Sequence, residues 1–414
     1  MGLLATAPFA YRWRRNKPMA ALISGGWLAM IGGLLLGPSG FDVVTRPTLL
    51  QTFPLLEAGM GWIGLMVGLQ LRREVLKALP NTLRKLVGVD TLMSAVVFGG
   101  AAIGLLSWCW RGRSNAPVVE GTIVLIAAAV GWAMETRSLR GEGAAEERLA
   151  VLVRAGGSLA SVVAIVVFAI GIMHANHPIA LGGRAWPALV IAPAMCAALA
   201  VFMGVAGRYM LTLAGKQTEY QLAVFIGVVA FVAGIATELE TPSLFAALLT
   251  GAVMANLKGV DLRRFERFIL GAEHALAVIF AIVAGVLLDP VIGWGGLIAA
   301  LSLVALRLIG KPMMMRGALR SQRARHDPPG KGELPARSRL YAGAARQSPI
   351  ATVMLVSLVL AHPTEASQEL LTIVALTGLL CEVLTIARRT PAPKATAPET
   401  AANAAAPEQE GAAS

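Results

Sequence analysis

Apolar residues in this chain come in long unbroken runs, separated by shorter polar segments that hold most of the charge. A helix needs about 17 to 25 largely apolar residues to cross a hydrocarbon core of about 30 Å. Twelve such runs are present, at 19–37, 52–71, 86–110, 118–135, 149–173, 185–208, 220–237, 241–257, 272–289, 294–312, 340–360 and 368–387. Few stretches show the period-two alternation of a lipid-facing strand, which argues against a β-barrel. The pattern predicts an all-α polytopic membrane protein of about 12 transmembrane spans.

The polar segments orient the spans, because Lys and Arg favour cytoplasmic loops. With the amino terminus inside, the segments on that face hold 29 Lys and Arg, from Arg12 to Lys394. The other face has Arg46, Arg111, Arg113 and Arg184. One miscounted span would reverse every later segment, and so uneven a split would not survive that. Both termini are expected in the cytoplasm and the protein in a cell inner membrane, with membrane lipid as a partner through its anionic headgroups. The expected organisation is a basic N-terminus at 1–18, a membrane domain at 19–388 and a disordered tail at 389–414. A cytoplasmic loop at 315–339 interrupts the membrane domain; neither loop nor tail has the large apolar side chains to bury a core.

Composition agrees. Of 414 residues 56% are hydrophobic and 14% charged, against about a quarter charged in soluble proteins. The formal net charge of +12 would raise nucleic acid as a partner in a soluble domain; its placement makes it a topology signal, and no nucleic acid is expected. The basic segment before the first apolar run resembles a signal-anchor, but the run is long and lacks a small-x-small cleavage site, so it reads as a retained span. Cys109, Cys196 and Cys381 fall in or at the ends of apolar runs, without metal-ligand spacing or a disulfide framework. No Gly-x-Gly-x-x-Gly after a strand, His-Glu-x-x-His helix or Ser/His/Asp constellation is present, so neither an enzyme nor a cofactor is expected.

Weak internal similarity links 33–37 and 62–71 with 248–254 and 279–289. Each pair opens a block of five spans, one to five and eight to twelve. Five is odd, so the second block enters the membrane from the opposite side, as two inverted five-helix repeats. The interruption candidates are span four, at Ala127-Ala128-Ala129-Val130-Gly131, and span eleven, at Gln347-Ser348-Pro349. A proline frees a carbonyl that a cavity or polar neighbour must satisfy.

Residues 33–41 (GLLLGPSGF), 57–71 (EAGMGWIGLMVGLQL), 241–257 (TPSLFAALLTGAVMANL) and 265–290 (FERFILGAEHALAVIFAIVAGVLLDP) together resemble the cation:proton antiporter superfamily, in its bacterial sodium/proton and potassium-efflux branch. The resemblance covers about residues 19 to 388, with motif order preserved. It implies a homodimer exchanging a monovalent cation (sodium or potassium) for protons, by movement of a core of spans three to five and ten to twelve against a dimerisation scaffold. One departure stands out. Where the family places one or two aspartates on the fifth span, this chain has Ala160 and Ser161, and 149–173 contains no carboxylate at all. A carboxylate is what lets one site hold either a proton or a cation. Ala128 and Ala129 stand where the family has a hydroxyl, and the family's Gly-Glu on span eleven is replaced by Ser348-Pro349.

The candidate transport pathway is therefore Ser158 and Ser161, with Arg154 at helical offsets of four and seven on the same face, together with Gln347 and Ser348 at the break. A candidate charge network comprises Asp90, Arg307, Lys311, Arg346 and Glu382. Arg154, Arg307, Arg346, Asp90 and Glu382 all sit roughly 6 to 10 Å inside the cytoplasmic ends of core spans. They form either a paired inner layer or, for the arginines singly, side chains snorkelling to the headgroups. Glu57 reads as a buried or snorkelled acid. His174 and His177 lack a third metal ligand, and Glu238 and Glu240 form a polar turn. Two classes of function fit: a cation:proton antiporter, or a non-transporting scaffold or sensor on the same fold, with an anion-handling variant of the first.

Overall fold

The structure is a computed structural model describing residues 26–78, parts of 92–110, 161–173, 186–215, 217–257, 263–290, 292–310 and 349–387. Among the described residues there is no strand. The helices are α1 (Trp27–Leu36), α2 (Arg46–Gln51), α3 (Phe53–Leu69), α4 (Arg73–Ala78), α5 (Ser161–Met173), α6 (Trp186–Ala214), α7 (Thr218–Glu238), α8 (Ser243–Asn256), α9 (Arg263–Leu287), α10 (Trp294–Ala305), α11 (Pro349–Ala361) and α12 (Glu365–Ala387). Thus α1 and α3 correspond to spans one and two, and α5 to α12 to spans five to twelve. Among the described residues Pro193–Ala214, Glu219–Glu238 and Glu365–Leu384 are each long and apolar enough to cross a bilayer. Large apolar side chains such as Phe202, Leu213, Ile226 and Phe231 face outward from α6 and α7, as a lipid environment favours.

Local sequence explains where the helices start and stop. Pro47 and Pro54 sit at the first turns of α2 and α3, where a missing N–H costs nothing. Gly215 ends α6 with a φ of +62°, the left-handed conformation that favours glycine. Two boundaries differ from the hydropathy reading. Helix α9 is described from Arg263, well before the expected 272; the sequence there mixes Arg263, Arg264, Glu266 and Arg267 with Phe265 and Phe268. A hydropathy window rejects such a mixture, but a helix accepts it. Helix α6 continues past Arg208 to Ala214; charge lowers hydropathy without breaking a helix.

Two crossings organise the packing. A Cβ on Gly33 of α1 would overlap the carbonyl oxygen of Ile282 on α9, and one on Gly285 of α9 would overlap that of Met30 on α1. Likewise, a Cβ on Gly251 of α8 would overlap the carbonyl of Leu65 on α3, and one on Gly68 of α3 that of Leu248 on α8. In both crossings each glycine meets the residue three positions before the partner glycine, and each pair runs parallel. Only the absent side chain lets the backbones approach so closely. The α3–α8 seam is also tied at both ends. At one end the Ser243 hydroxyl donates to the Glu57 carbonyl at 3.1 Å. At the other, Asn256 Nδ2 donates to the Leu71 carbonyl at 2.9 Å while its Oδ1 accepts from the Arg73 N–H at 2.9 Å.

Helices α3 and α8 stand between two apolar clusters. One cluster joins them to α6 and α7 through Met203, Phe225, Val228 and Val232. The other joins them to α5 and α9 to α12 through Ile165, Phe168, Phe280, Met354 and Leu371. The buried hydroxyls of Thr250 and Thr377 donate within their own helices, to the Ala246 carbonyl at 2.9 Å and the Ile373 carbonyl at 2.7 Å.

Candidate functional site

Helices α10 and α12 pack side by side and run parallel. The register shows in three contacts along their length. A Cβ on Gly296 would lie 3.5 Å from Glu369 Oε1, Thr377 Oγ1 approaches the Ala300 carbonyl at 3.4 Å, and the Arg307 guanidinium donates to the Cys381 sulfur. Helix α11 packs on α12 and on α9.

Arg307 lies where α10 changes character. Its α-helical bonding stops at Ala305 and Leu306–Gly310 form a π-helical turn. A π turn widens the backbone by one residue and is frequent at functional positions. Arg307 is 0% exposed, the largest fully buried side chain among the described residues. Glu382, next along α12 from Cys381, is 3% exposed. Snorkelling therefore does not describe Arg307: its guanidinium is directed into the bundle, because the facing surface of α12 offers Cys381 at hydrogen-bonding distance.

Other site candidates have these placements. Ser161 is the first described residue of α5 and is half-buried. Asp90, Arg154, Ser158, Lys311, Arg346, Gln347 and Ser348 lie outside the described residues, as do span four and His174 and His177. Helix α11 is described from Pro349 onward. Among the described residues no group of three His, Cys, Asp or Glu gathers that could hold a metal. Cys196 and Cys381 are buried and form no disulfide.

Three features have contacts that sequence reasoning missed. Glu57, 8% exposed, meets the Ser243 hydroxyl and backbone N–H at the start of α8, so of its two readings the buried, hydrogen-bonded one holds. Arg208, assigned to a loop by the charge count, is inside α6, 7% exposed, and within range of the Arg72 charge. Trp110 Nε1 donates to Glu369 Oε2 at 2.6 Å, tying the end of span three to α12. Their partners are far away in sequence, and no local pattern announces them. A separate cleft of about 480 Å³ lies between α6 and α8, apolar except for Arg73 and Asn256. None of its lining residues lies on α10 or α12.

The family model for the transmembrane sodium/hydrogen exchanger domain matches residues 5–388. The chain belongs to the sodium/hydrogen exchanger family. Among solved structures it is similar to the sodium proton antiporter MjNhaP1 from Methanocaldococcus jannaschii, solved at pH 8. The TM-score is 0.55 at 14% sequence identity, over 89% of this chain and 95% of that one. At that identity the likeness establishes the fold, that of an all-α polytopic membrane protein. No curated protein sequence matches the chain. Family and fold are those of cation:proton antiporters, membrane transporters rather than enzymes.

Proposed function

We propose that this member of the sodium/hydrogen exchanger family exchanges a monovalent cation, sodium or potassium, for protons by alternating access. The observation that carries the reading is Arg307, wholly buried on a core helix and held to Cys381, the residue before buried Glu382. An ion inside a membrane protein costs several kcal/mol to desolvate, and such residues mark ion pathways by default. A relict scaffold has no use for that cost. The two glycine crossings support the inverted-repeat arrangement, since Gly33 and Gly285 stand to each other as Gly251 and Gly68 do. In this reading the charge network is Asp90, Arg307, Lys311, Arg346 and Glu382, and the pathway passes Ser158, Ser161, Arg154, Gln347 and Ser348. The scaffold is the α1, α3, α8 and α9 group, and the working unit is a homodimer in the inner membrane with both termini cytoplasmic.

Fluorescence-monitored pH change in everted vesicles from an antiporter-deficient strain tests this. Adding sodium, potassium or lithium should release the respiration-generated pH gradient when the protein is present. No response to any of the three, between about pH 6 and 9, leaves the scaffold or sensor reading or the anion-handling variant, which the missing carboxylate on 149–173 favours.

A further inference from the structure

The cleft between α6 and α8 contains none of the residues placed in the pathway or the charge network. Ala197 and Val201 of α6 form one wall and Ala252 and Val253 of α8 the other, with Arg73 at the end where α8 finishes. Its volume of about 480 Å³ lies within the range of about 300–1,000 Å³ usual for sites that hold one organic ligand. Val201 is 53% exposed, and Phe202 and Val205 beside it also face outward, so the cleft opens onto the apolar outer surface of α6. Water does not fill so apolar a lining. In a bilayer the available filler is an acyl chain.

The polar end of the cleft is held in place by specific bonds. Asn256 Oδ1 accepts from the Arg73 N–H at 2.9 Å, while its Nδ2 donates to the Leu71 carbonyl at 2.9 Å and to the Ala252 carbonyl at 2.7 Å. That amide is committed to fixing the Arg73 backbone against α8, which leaves the guanidinium as the group that meets a ligand. Among the described residues the Arg73 guanidinium has no ion pair or hydrogen bond. Adjacent Glu74 is exposed and outside the cleft. Arg72 and Arg208 add positive charge nearby. Arg208 comes seven residues after Val201, on the same face of α6, and within range of the Arg72 charge; both have interactions of their own.

We propose that this cleft is a binding site for one anionic phospholipid, with an acyl chain lying between α6 and α8 and the headgroup phosphodiester on Arg73. A guanidinium pairs with a phosphate through two parallel N–H···O bonds, which gives geometry as well as attraction. The chain leaves one apolar environment for another, so it positions the lipid and contributes little selectivity. Selectivity comes from charge. Phosphatidylglycerol is net negative, whereas the choline of phosphatidylcholine offsets its phosphate. The positive charge of Arg72 and Arg208 raises the local concentration of anionic headgroups around Arg73. The site does not depend on which ion the protein moves.

The test titrates the purified full chain, in a neutral detergent, with phosphatidylglycerol, phosphatidylcholine or inorganic phosphate. Native mass spectrometry counts bound lipid, and the thermal midpoint is followed in parallel. Wild type should bind phosphatidylglycerol saturably and rise in midpoint. Phosphatidylcholine should bind at least about tenfold more weakly, the ratio expected for one charge-assisted hydrogen bond. R73Q should weaken phosphatidylglycerol by a similar factor and so level the two lipids. K77Q removes a neighbouring exposed charge outside the cleft and should bind as wild type does. A197F puts a ring into the cleft from an exposed position and should weaken both lipids. Equal affinity of wild type for the two lipids, undiminished phosphatidylglycerol binding in R73Q, or an equal loss in K77Q overturns the site. So does a midpoint rise with inorganic phosphate that matches phosphatidylglycerol, which makes the ligand a free anion. Should R73Q fail to accumulate, A197F decides: phosphatidylglycerol binding equal to wild type overturns the proposal.

Discussion

At the scale of single residues, the buried charges have separable roles. Replacing Arg307 by methionine removes the charge and keeps most of the volume. Removing one member of a set of buried charges leaves its neighbours uncompensated, at about 3–5 kcal/mol. R307M should therefore accumulate to a lower level than wild type and, compared at matched protein amount, lose exchange; retained exchange would contradict a role for Arg307 in transport. Glu57 should show the reverse. Its carboxyl meets the first N–H of α8, an interaction typically worth about 0.5–2 kcal/mol at a helix start. E57A should lower the thermal midpoint of the detergent-solubilised protein, and E57Q should recover most of the loss; equal midpoints for all three would show that the contact contributes nothing. The sequence marked Glu57 and Arg307 as exceptional because they interrupt apolar runs. It did not separate their roles, since the deciding contacts come from Ser243 and Cys381, on other helices.

At the scale of helices, the glycine crossings make a sharp contrast with glycines elsewhere. Gly68 and Gly251 face carbonyl oxygens, whereas a Cβ at Gly227 of α7 would meet nothing within 4 Å. Gly68→Ala must push α3 from α8 along a seam tied at Glu57–Ser243 and at Asn256, so the yield of folded protein should fall steeply. Gly227→Ala, in an open helical position, should stabilise by up to about 1 kcal/mol. Fluorescence-detected size exclusion before and after heating reads both, and comparable behaviour of the two variants would show that the close approach is not needed. Glycine-rich runs at 33–37 and 61–68 are visible in the sequence, but which glycine meets which carbonyl is not. Gly33 and Ile282 are brought together by packing across most of the chain.

At the scale of the whole molecule, the charge asymmetry predicts a topology. Ser39 lies in the exposed turn after α1 and Lys394 in the tail. A cysteine in place of Ser39 should react with a membrane-impermeant maleimide on intact cells, and one in place of Lys394 only after permeabilisation. Native Cys196 and Cys381 are fully buried and should stay unlabelled in the folded protein; a reversed pattern at 39 and 394 would invert the orientation. Much of the architecture was legible from the chain alone. Apolar run length is a local property set by bilayer thickness, and it located the spans matched by α1, α3 and α5 to α12. It missed the charged first residues of α9 and the charged end of α6, where helical bonding outlasts hydropathy. The absence of a carboxylate on 149–173 was likewise complete in the sequence, because an absence needs no partner. The tertiary structure alone decided which helices pair through glycine, that the Arg307 guanidinium is turned inward against Cys381, and that Glu57 belongs to the start of α8. Each depends on atoms dozens to hundreds of residues apart meeting within a few ångströms, and no local pattern of residue types encodes such a meeting.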